Sequence, residues 1–296
     1  MGFVGATIDG QIPFTSYANK TILRMRNLTH QSGDETMAPE IQLQLAEEVG
    51  VLTATITRID KKNALTNAMY GALADAIARA NEDDAIRVLL IQADGDLFTA
   101  GNDVSEFAAQ AMGNAPEERH VLRFLRALAT ATVPIVAAVQ GKAVGVGTTM
   151  LLHCDYVLLA DDAQLITPFV NLALVPEAAS SYLMPLRIGH TRAFEMFALG
   201  DPVPADAAVA WGIANRTVPV AELRAEARRI AEKIAARPAG SLTAMKRLMR
   251  DAEKLVGQMD SESAIFVERL ASAEAKEAFM AFAQKRAPDF TKLSRR

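Results

Sequence analysis

Two glycine-bearing segments, Phe98-Thr-Ala-Gly-Asn-Asp-Val104 and Gly141-Lys-Ala-Val-Gly-Val-Gly-Thr148, point most directly to chemistry. Each ends a strand-like apolar run, and each puts glycine where the backbone must bend sharply. Placed side by side, two such turns would aim two free peptide N–H groups at one oxygen. The first would come from Asn102, after Gly101, with Asp103 set to cap a following helix. The second would come from Val146, flanked by Gly145 and Gly147, at the start of an apolar helix running to about Cys154. A pair of donors of this kind stabilises an enolate, each worth about 3 kcal/mol in the transition state. Glycine turns are also everyday structure between strands and helices. Met150 occupies the place of the third glycine of a dinucleotide fingerprint, and Gly141-Lys142 does not match a phosphate loop.

The elements that must hold these turns are legible in the apolar spacing. Leu52, Ala54 and Ile56 alternate with Thr53, Thr55 and Thr57, which predicts a half-buried strand. Met69, Leu73, Ala76, Ile77 and Ala80 follow helical spacing. Runs from Ile86 to Ile91, Val133 to Val139 and Asp155 to Ala160 read as buried strands, with a helix from Glu118 to Leu128 between the first two. Strand and helix alternate through the first half, so the fold class is α/β, layered around one core. Beyond about Pro176 the pattern is helical. Leu223, Ala227, Ile230 and Ile234 form one stripe, and a last strong helix runs through Phe266, Leu270 and Phe279.

Composition narrows the function classes. The 296 residues are 50% hydrophobic, enough for a sizeable core, and the net charge of −4 gives no general attraction to nucleic acid or an anionic membrane. Cys154 is alone, so no internal disulfide forms, and a reducing, cytoplasmic setting is expected. His30, His153 and His190 lack ligand spacing, so no metal is expected. Residues 1–40 mix Gly, Ser, Thr and Asn with little periodicity and are expected to be a flexible leader outside the fold; Met37 offers a second start.

Several separated motifs agree with one family. Lys61-Lys-Asn-Ala-Leu65, Ala100-Gly-Asn-Asp103 and Ala138-Val-Gln-Gly-Lys-Ala-Val-Gly-Val-Gly147 occur in order, followed by Asp155 and by Thr167-Pro-Phe-Val-Asn-Leu-Ala-Leu-Val-Pro-Glu-Ala-Ala-Ser-Ser181. Together they resemble the crotonase superfamily, the enoyl-CoA hydratase/isomerase group, from about Val49 to Phe290. The resemblance implies a crotonase-like spiral of ββα turns over residues 41–235, a helical C-terminal region over 236–296 that mediates trimerisation, and assembly as a homotrimer or a dimer of trimers. It implies an acyl-CoA thioester as substrate, with coenzyme A part of that substrate and no separate cofactor. The oxyanion donors would then be Asn102 and Val146. Lys61 and Ala100 would lie near the adenine of CoA, with Asn102, Asp103 and Val104 in the same binding segment and Lys285 near its phosphates.

The departures from the family pattern narrow the reaction. Hydratases of this family carry a glutamate early in the helix after the second glycine turn and another just after a later proline. Here those places hold Thr149 and Phe169. One acid remains, Glu177, in a segment that looks like the peroxisomal-type Δ3,Δ2-enoyl-CoA isomerases. Its apolar neighbours Val175, Pro176, Ala178 and Ala179 are expected to raise its pKa and suit it to be the single catalytic base. A solvated Glu177 capping a helix that begins near Ala178 is the plain alternative reading. Residual hydration on the same scaffold, or a non-catalytic acyl-CoA-binding role, are the rival functions.

Overall fold

A computed structural model of the chain describes residues 41–103, 105, 106, 118–291 and 293. The leader expected over residues 1–40 and Val104, expected to help bind CoA, lie outside these. Six strands form the main sheet, in the spatial order β1 (Leu43–Glu48), β2 (Val51–Ile56), β3 (Val88–Ala93), β4 (Ile135–Val139), β6 (Tyr156–Ala160) and β9 (Arg216–Val218). Only β1 is antiparallel to its neighbour; the remaining pairs are parallel. A second sheet carries β5 (Lys142–Val144), β7 (Gln164–Ile166) and β8 (Val203–Pro204). Successive turns of chain contribute one strand to each sheet, β4 then β5 and β6 then β7. That is the expected α/β architecture of stacked turns.

The parallel strands are apolar on both faces because both faces are covered. One face packs on α1 (Asn67–Glu82) and α2 (His120–Thr130) through Leu73, Ile77, Phe124 and Leu128. The other packs on α7 (Leu223–Ala235), where Leu223, Ala227, Ile230 and Ala231 meet Val51, Val88, Leu90 and Val136. This corrects the half-buried reading of the Leu52–Ile56 strand. Thr53 is buried too, because α7 returns from far along the chain to close the second face.

Between β5 and β6 the backbone forms a single turn, α3 (Val146–Thr149), and continues as a 3₁₀ turn over Met150–His153. After β7 come α4 (Ser180–Ile188), α5 (His190–Leu199) and α6 (Ala205–Trp211), and α7 is followed by α8 (Ala239–Met249). The expected last long helix is in fact two, α9 (Ala252–Leu270) and α10 (Ala273–Ala283). The break has a local cause: Ser272 turns out of the helix and its hydroxyl accepts the Ala275 N–H at 3.1 Å, a side-chain N-cap that starts a new helix. Asp251 starts α9 in the same way through the Lys254 N–H at 3.0 Å. Among the described residues, no helix is long and apolar enough to cross a membrane.

Candidate active site

The two glycine turns lie against one another. Thr99 and Ala143 form a parallel bridge, in which the Thr99 N–H bonds the Lys142 carbonyl at 3.1 Å and the Val144 N–H bonds the Thr99 carbonyl at 3.0 Å. Both turns therefore leave this bridge in the same direction. Asn102 and Val146 each stand three residues beyond it. A second parallel bridge pairs Asn102 with Leu65, using the Gly101 carbonyl (2.8 Å) and the Asp103 N–H (3.0 Å). In such a bridge the central residue turns its own N–H to the other side. The Asn102 N–H accordingly has no backbone acceptor among the described residues. Nor has the Val146 N–H, because the Gly145 carbonyl that opens α3 takes the N–H groups of Thr148 and Thr149.

Glycine is required where the turns approach each other. A Cβ on Gly147 would lie 2.4 Å from the Thr99 methyl, and one on Gly101 would lie 2.9 Å from the Val144 carbonyl oxygen. Gly101 also has φ +89°, a conformation other residues rarely adopt. Asp103 caps the segment after the first turn as expected, accepting the Ser105 N–H at 2.9 Å. It is pinned as well by Arg58 at 2.5 Å. These hydrogen bonds, those from Ser105 and Arg58, overcome burial and hold its pKa at about 2.

Glu177 sits in a turn between a 3₁₀ segment (Val170–Leu172) and α4. The helix expected near Ala178 begins instead at Ser180, and Ala178 and Ala179 take left-handed φ values. Glu177 is therefore not a solvated residue in the first turn of a helix. It lines a cleft together with Tyr70, Asn102, Asp103 and Glu106. The cleft's apolar lining includes Leu122 and Leu125 on α2 and Phe266, Val267 and Leu270 on α9. Burial raises the Glu177 pKa to about 7, although a hydrogen bond from Thr149 opposes the shift and the Glu262 charge adds to it. Oxygen Oε1 accepts the Thr149 hydroxyl, while Oε2 is shielded from solvent without a hydrogen-bond partner.

Thr149 and Phe169 have different fates. Thr149 is fully buried and supports Glu177 directly. Phe169 packs in the interior, its ring 6.3 Å from that of Phe197. Of the expected CoA-binding residues, Lys61 and Ala100 lie on adjacent segments, joined by the Ala100 N–H to the Lys62 carbonyl at 3.0 Å. No hydrogen bond or ion pair among the described residues joins Lys285 to them. Lys285 is exposed, and its neighbour Arg286 is held by Glu277 at 2.6 Å.

Three residues of the site escape a reading of the sequence. Tyr70, on the inner face of α1, donates its hydroxyl to the Asn102 side-chain oxygen. Its phenol pKa is raised by burial and by the nearby charges of Glu177 and Glu106. Glu106 stands three residues after Asp103, the spacing of a capping box. Its carboxylate instead accepts the first N–H of α1, from Asn67, at 2.7 Å. Glu262, on α9, is the third and reaches the backbone just beyond Glu177. A polar residue on an otherwise apolar helical stripe is the one signal that marks Tyr70 and Glu262.

Comparison with known proteins gives this geometry a family. The model of the "Enoyl-CoA hydratase/isomerase" family matches residues 46–293. The 1,2-epoxyphenylacetyl-CoA isomerase of Escherichia coli K12 is 33% identical over 253 residues, covering 82% of this chain and 96% of that protein. The enoyl-CoA delta isomerase 2 of Rattus norvegicus is 32% identical over 82% of this chain, which spans 63% of the rat protein's length. A crystal structure of an enoyl-CoA hydratase/isomerase from Pseudoalteromonas atlantica T6c superposes with a TM-score of 0.80 at 44% identity, covering 84% of this chain and 99% of that one. The chain belongs to the enoyl-CoA hydratase/isomerase family, within the crotonase superfamily.

Proposed function

We propose that the chain is a Δ3,Δ2-enoyl-CoA isomerase, moving the double bond of a 3-enoyl-CoA into conjugation with the thioester. The observation that carries this reading is Glu177: a carboxylate in an apolar cleft, with pKa raised to about 7 and Oε2 unpaired. The other two acids lining the cleft are engaged: Glu106 accepts the first N–H of α1, and Asp103 is held by Arg58 and Ser105. The residues at the two places of the hydratase glutamates, Thr149 and Phe169, have no acid to offer.

In this mechanism the thioester carbonyl accepts hydrogen bonds from the Asn102 and Val146 N–H groups. Glu177 Oε2 removes a proton from C2, and the electron pair moves into a dienolate whose oxygen those donors stabilise. The same carboxylic acid returns the proton to C4, and the C3–C4 double bond becomes C2–C3. A pKa near neutrality suits both halves, since the group must accept and then release the same proton. The apolar wall from α2 and α9 excludes the water that hydration would need. The CoA moiety is assigned to the segments around Lys61 and Ala100 and to Asn102, Asp103, Val104 and Lys285. Exposed Leu248, Met249 and Phe282 in the C-terminal region support assembly through residues 236–296.

Glu177→Gln tests the assignment. With 3-hexenoyl-CoA, turnover is expected to fall by about 10² or more, with acyl-CoA binding kept. Retention of most activity would remove the proposed role. Faster water addition to crotonyl-CoA than double-bond shift in the wild type would favour a hydratase, and acyl-CoA binding with turnover of neither would favour a non-catalytic binder.

A further inference from the structure

The base is carried by a backbone turn that its own sequence does not favour. Ala178 and Ala179, immediately after Glu177, have φ of 61° and 54°. Left-handed conformations are unfavourable for a residue with a Cβ, and glycine or asparagine is the usual occupant. Two consecutive alanines keep this shape only if the surroundings hold it.

Two side chains from distant segments do so. Nε2 of His153 lies 2.7 Å from the Ala178 carbonyl oxygen. That oxygen only accepts, so Nε2 carries the proton and Nδ1, buried and unpartnered, is bare. Burial holds the His153 pKa down at about 3, which keeps the ring neutral. From the other side comes Glu262, on α9 and buried. Its Oε2 accepts the Ala179 N–H at 2.6 Å, and its Oε1 accepts the Ser181 N–H at 3.0 Å and the Ser181 hydroxyl. Gln258 completes the set by donating to Ser181 Oγ at 2.9 Å. None of the ion pairs among the described residues includes Glu262, and it does not line the cleft.

Given the reading of Glu177 as the base, we propose that Glu262 is a positioning residue: it clamps the Ala178–Ala179 elbow and so fixes the direction of the Glu177 carboxylate. Glu262 thereby acts on the reaction without lining the cleft itself. Its charge acts in addition to its hydrogen bonds. The groups that face Glu177 are Tyr70 from α1, Thr149 from α3 and Glu262 from α9, with Glu106 beyond Tyr70. Of these, the Glu262 carboxylate favours the protonated form of Glu177 and the Thr149 hydroxyl favours the ionised form. The competing account is that Glu262 only caps α4, whose own N-cap residue Ala179 supplies no side-chain cap.

Kinetics of the full-length enzyme on 3-hexenoyl-CoA across pH, with thermal melts of each variant, separate the two accounts. Glu262→Gln is expected to lower kcat by about 10- to 100-fold with KM little changed. It should also move the rising limb of kcat/KM down by roughly half a pH unit, because the charge that opposes ionisation of Glu177 is gone. Adding Ala179→Gly should return part of the lost kcat, since glycine adopts the elbow unaided, and should leave the limb where Glu262→Gln put it. A folded Glu262→Gln with a lower melting temperature but wild-type kcat and an unmoved limb overturns the clamp. If that variant does not fold, Glu262→Asp carries the test: it keeps the charge but shortens the reach, so reduced kcat at an unmoved limb is expected, and wild-type kcat overturns the proposal. Glu177→Gln assayed in parallel distinguishes the failures. Activity there overturns the base itself, whereas an inactive Glu177→Gln beside a fully active Glu262→Gln overturns only the clamp.

Discussion

The buried Thr149 hydroxyl donates to Oε1 of Glu177 and leaves Oε2 free of partners. The two oxygens of one carboxylate thus have separate duties. One is held, which fixes the plane of the group, and the other is the oxygen that the proposed mechanism gives to the substrate proton. Thr149 stands at a place where hydratases of the family resemblance carry an acid. Its exchange for a hydroxyl removes a negative charge from the neighbourhood and turns that position into a support.

Thr149→Val is expected to keep the packing and lose the hydrogen bond. Because that bond favours the ionised carboxylate, its loss raises the Glu177 pKa further above 7. Catalysis needs Glu177 ionised, so the rising limb of kcat/KM moves to higher pH. The variant should lose most activity at pH 6 and recover towards alkaline pH, which a pH–rate profile reads directly. A limb that stays in place would mean that the hydroxyl does not bear on the base.

Glu177 also sets a conflict between activity and stability. Its pKa in the folded protein is about 7 against 4.5 for an unperturbed glutamate, so the folded state holds the proton more tightly than the unfolded state. Both forms are protonated below the unfolded value, and no penalty exists there. As pH rises from that value through 7, stability is lost, up to about 3 kcal/mol, and above it the deficit is constant. Glu177→Gln removes the charge and should be more stable than the wild type at pH 8, with the difference vanishing near pH 4.5. Urea midpoints at the two pH values check this. Equal midpoints at pH 8 would place the carboxylate in a wetter setting than the structure gives it.

Much of the frame was legible because apolar period and burial coincide. The helix read from Met69 to Ala80 lies in α1, and the runs ending at Ile91, Val139 and Ala160 overlap β3, β4 and β6, beginning one or two residues before each strand. The errors have local causes. Strand β1, Leu-Gln-Leu-Ala-Glu-Glu, is an exposed edge whose alternation is short, with Leu43 packed on the core and Leu45 left in solvent. Strands β8 and β9 are too short to show a period. The apolar run through Phe266, Leu270 and Phe279 continues past a break that only the Ser272 cap reveals. At the site, glycine spacing pointed to Asn102 and Val146 because glycine is a backbone signal. Tyr70 and Glu262 act through single polar atoms on buried helix faces, and their partners are set by tertiary packing that a linear pattern does not contain.

A buried ion pair ties the C-terminal helices to the sheet. Lys246 Nζ on α8 lies 2.6 Å from Asp155 Oδ2 and 2.7 Å from the Val133 carbonyl, and the same Asp155 oxygen accepts the Ile135 N–H at 2.8 Å. Lys246→Met leaves a carboxylate and a carbonyl without their cation, and should cost about 3 kcal/mol. The low end of the range is apt because the Asp155 side chain keeps 30% exposure. Adding Asp155→Asn should restore part of the loss, since the stranded charge is then gone. The pair is remote from the cleft residues, so kcat of the folded fraction should change little. Denaturant midpoints for the two variants, and a double-mutant cycle with Asp155→Asn alone, measure the coupling; additive effects would mean the pair contributes nothing as a pair.

Gly101→Ala probes the pair of main-chain donors without removing any side chain. The new Cβ would sit 2.9 Å from the Val144 carbonyl oxygen, and the residue would have to keep φ at +89°. The backbone relieves both strains by moving the first turn away from the second, which carries the Asn102 N–H away from the Val146 N–H. Loss of one such donor lowers kcat by about 10² to 10³, and KM should rise far less, because the developing enolate needs the donors more than the ground-state carbonyl does. Gly257→Ala on α9 is the control. It has no positive φ, it is exposed, and a Cβ there meets nothing within 4 Å, so it is expected to keep both stability and kcat. Steady-state kinetics on 3-hexenoyl-CoA with melts of both variants decide the matter: a folded Gly101→Ala enzyme with undiminished kcat means that the two turns do not act together on the thioester oxygen.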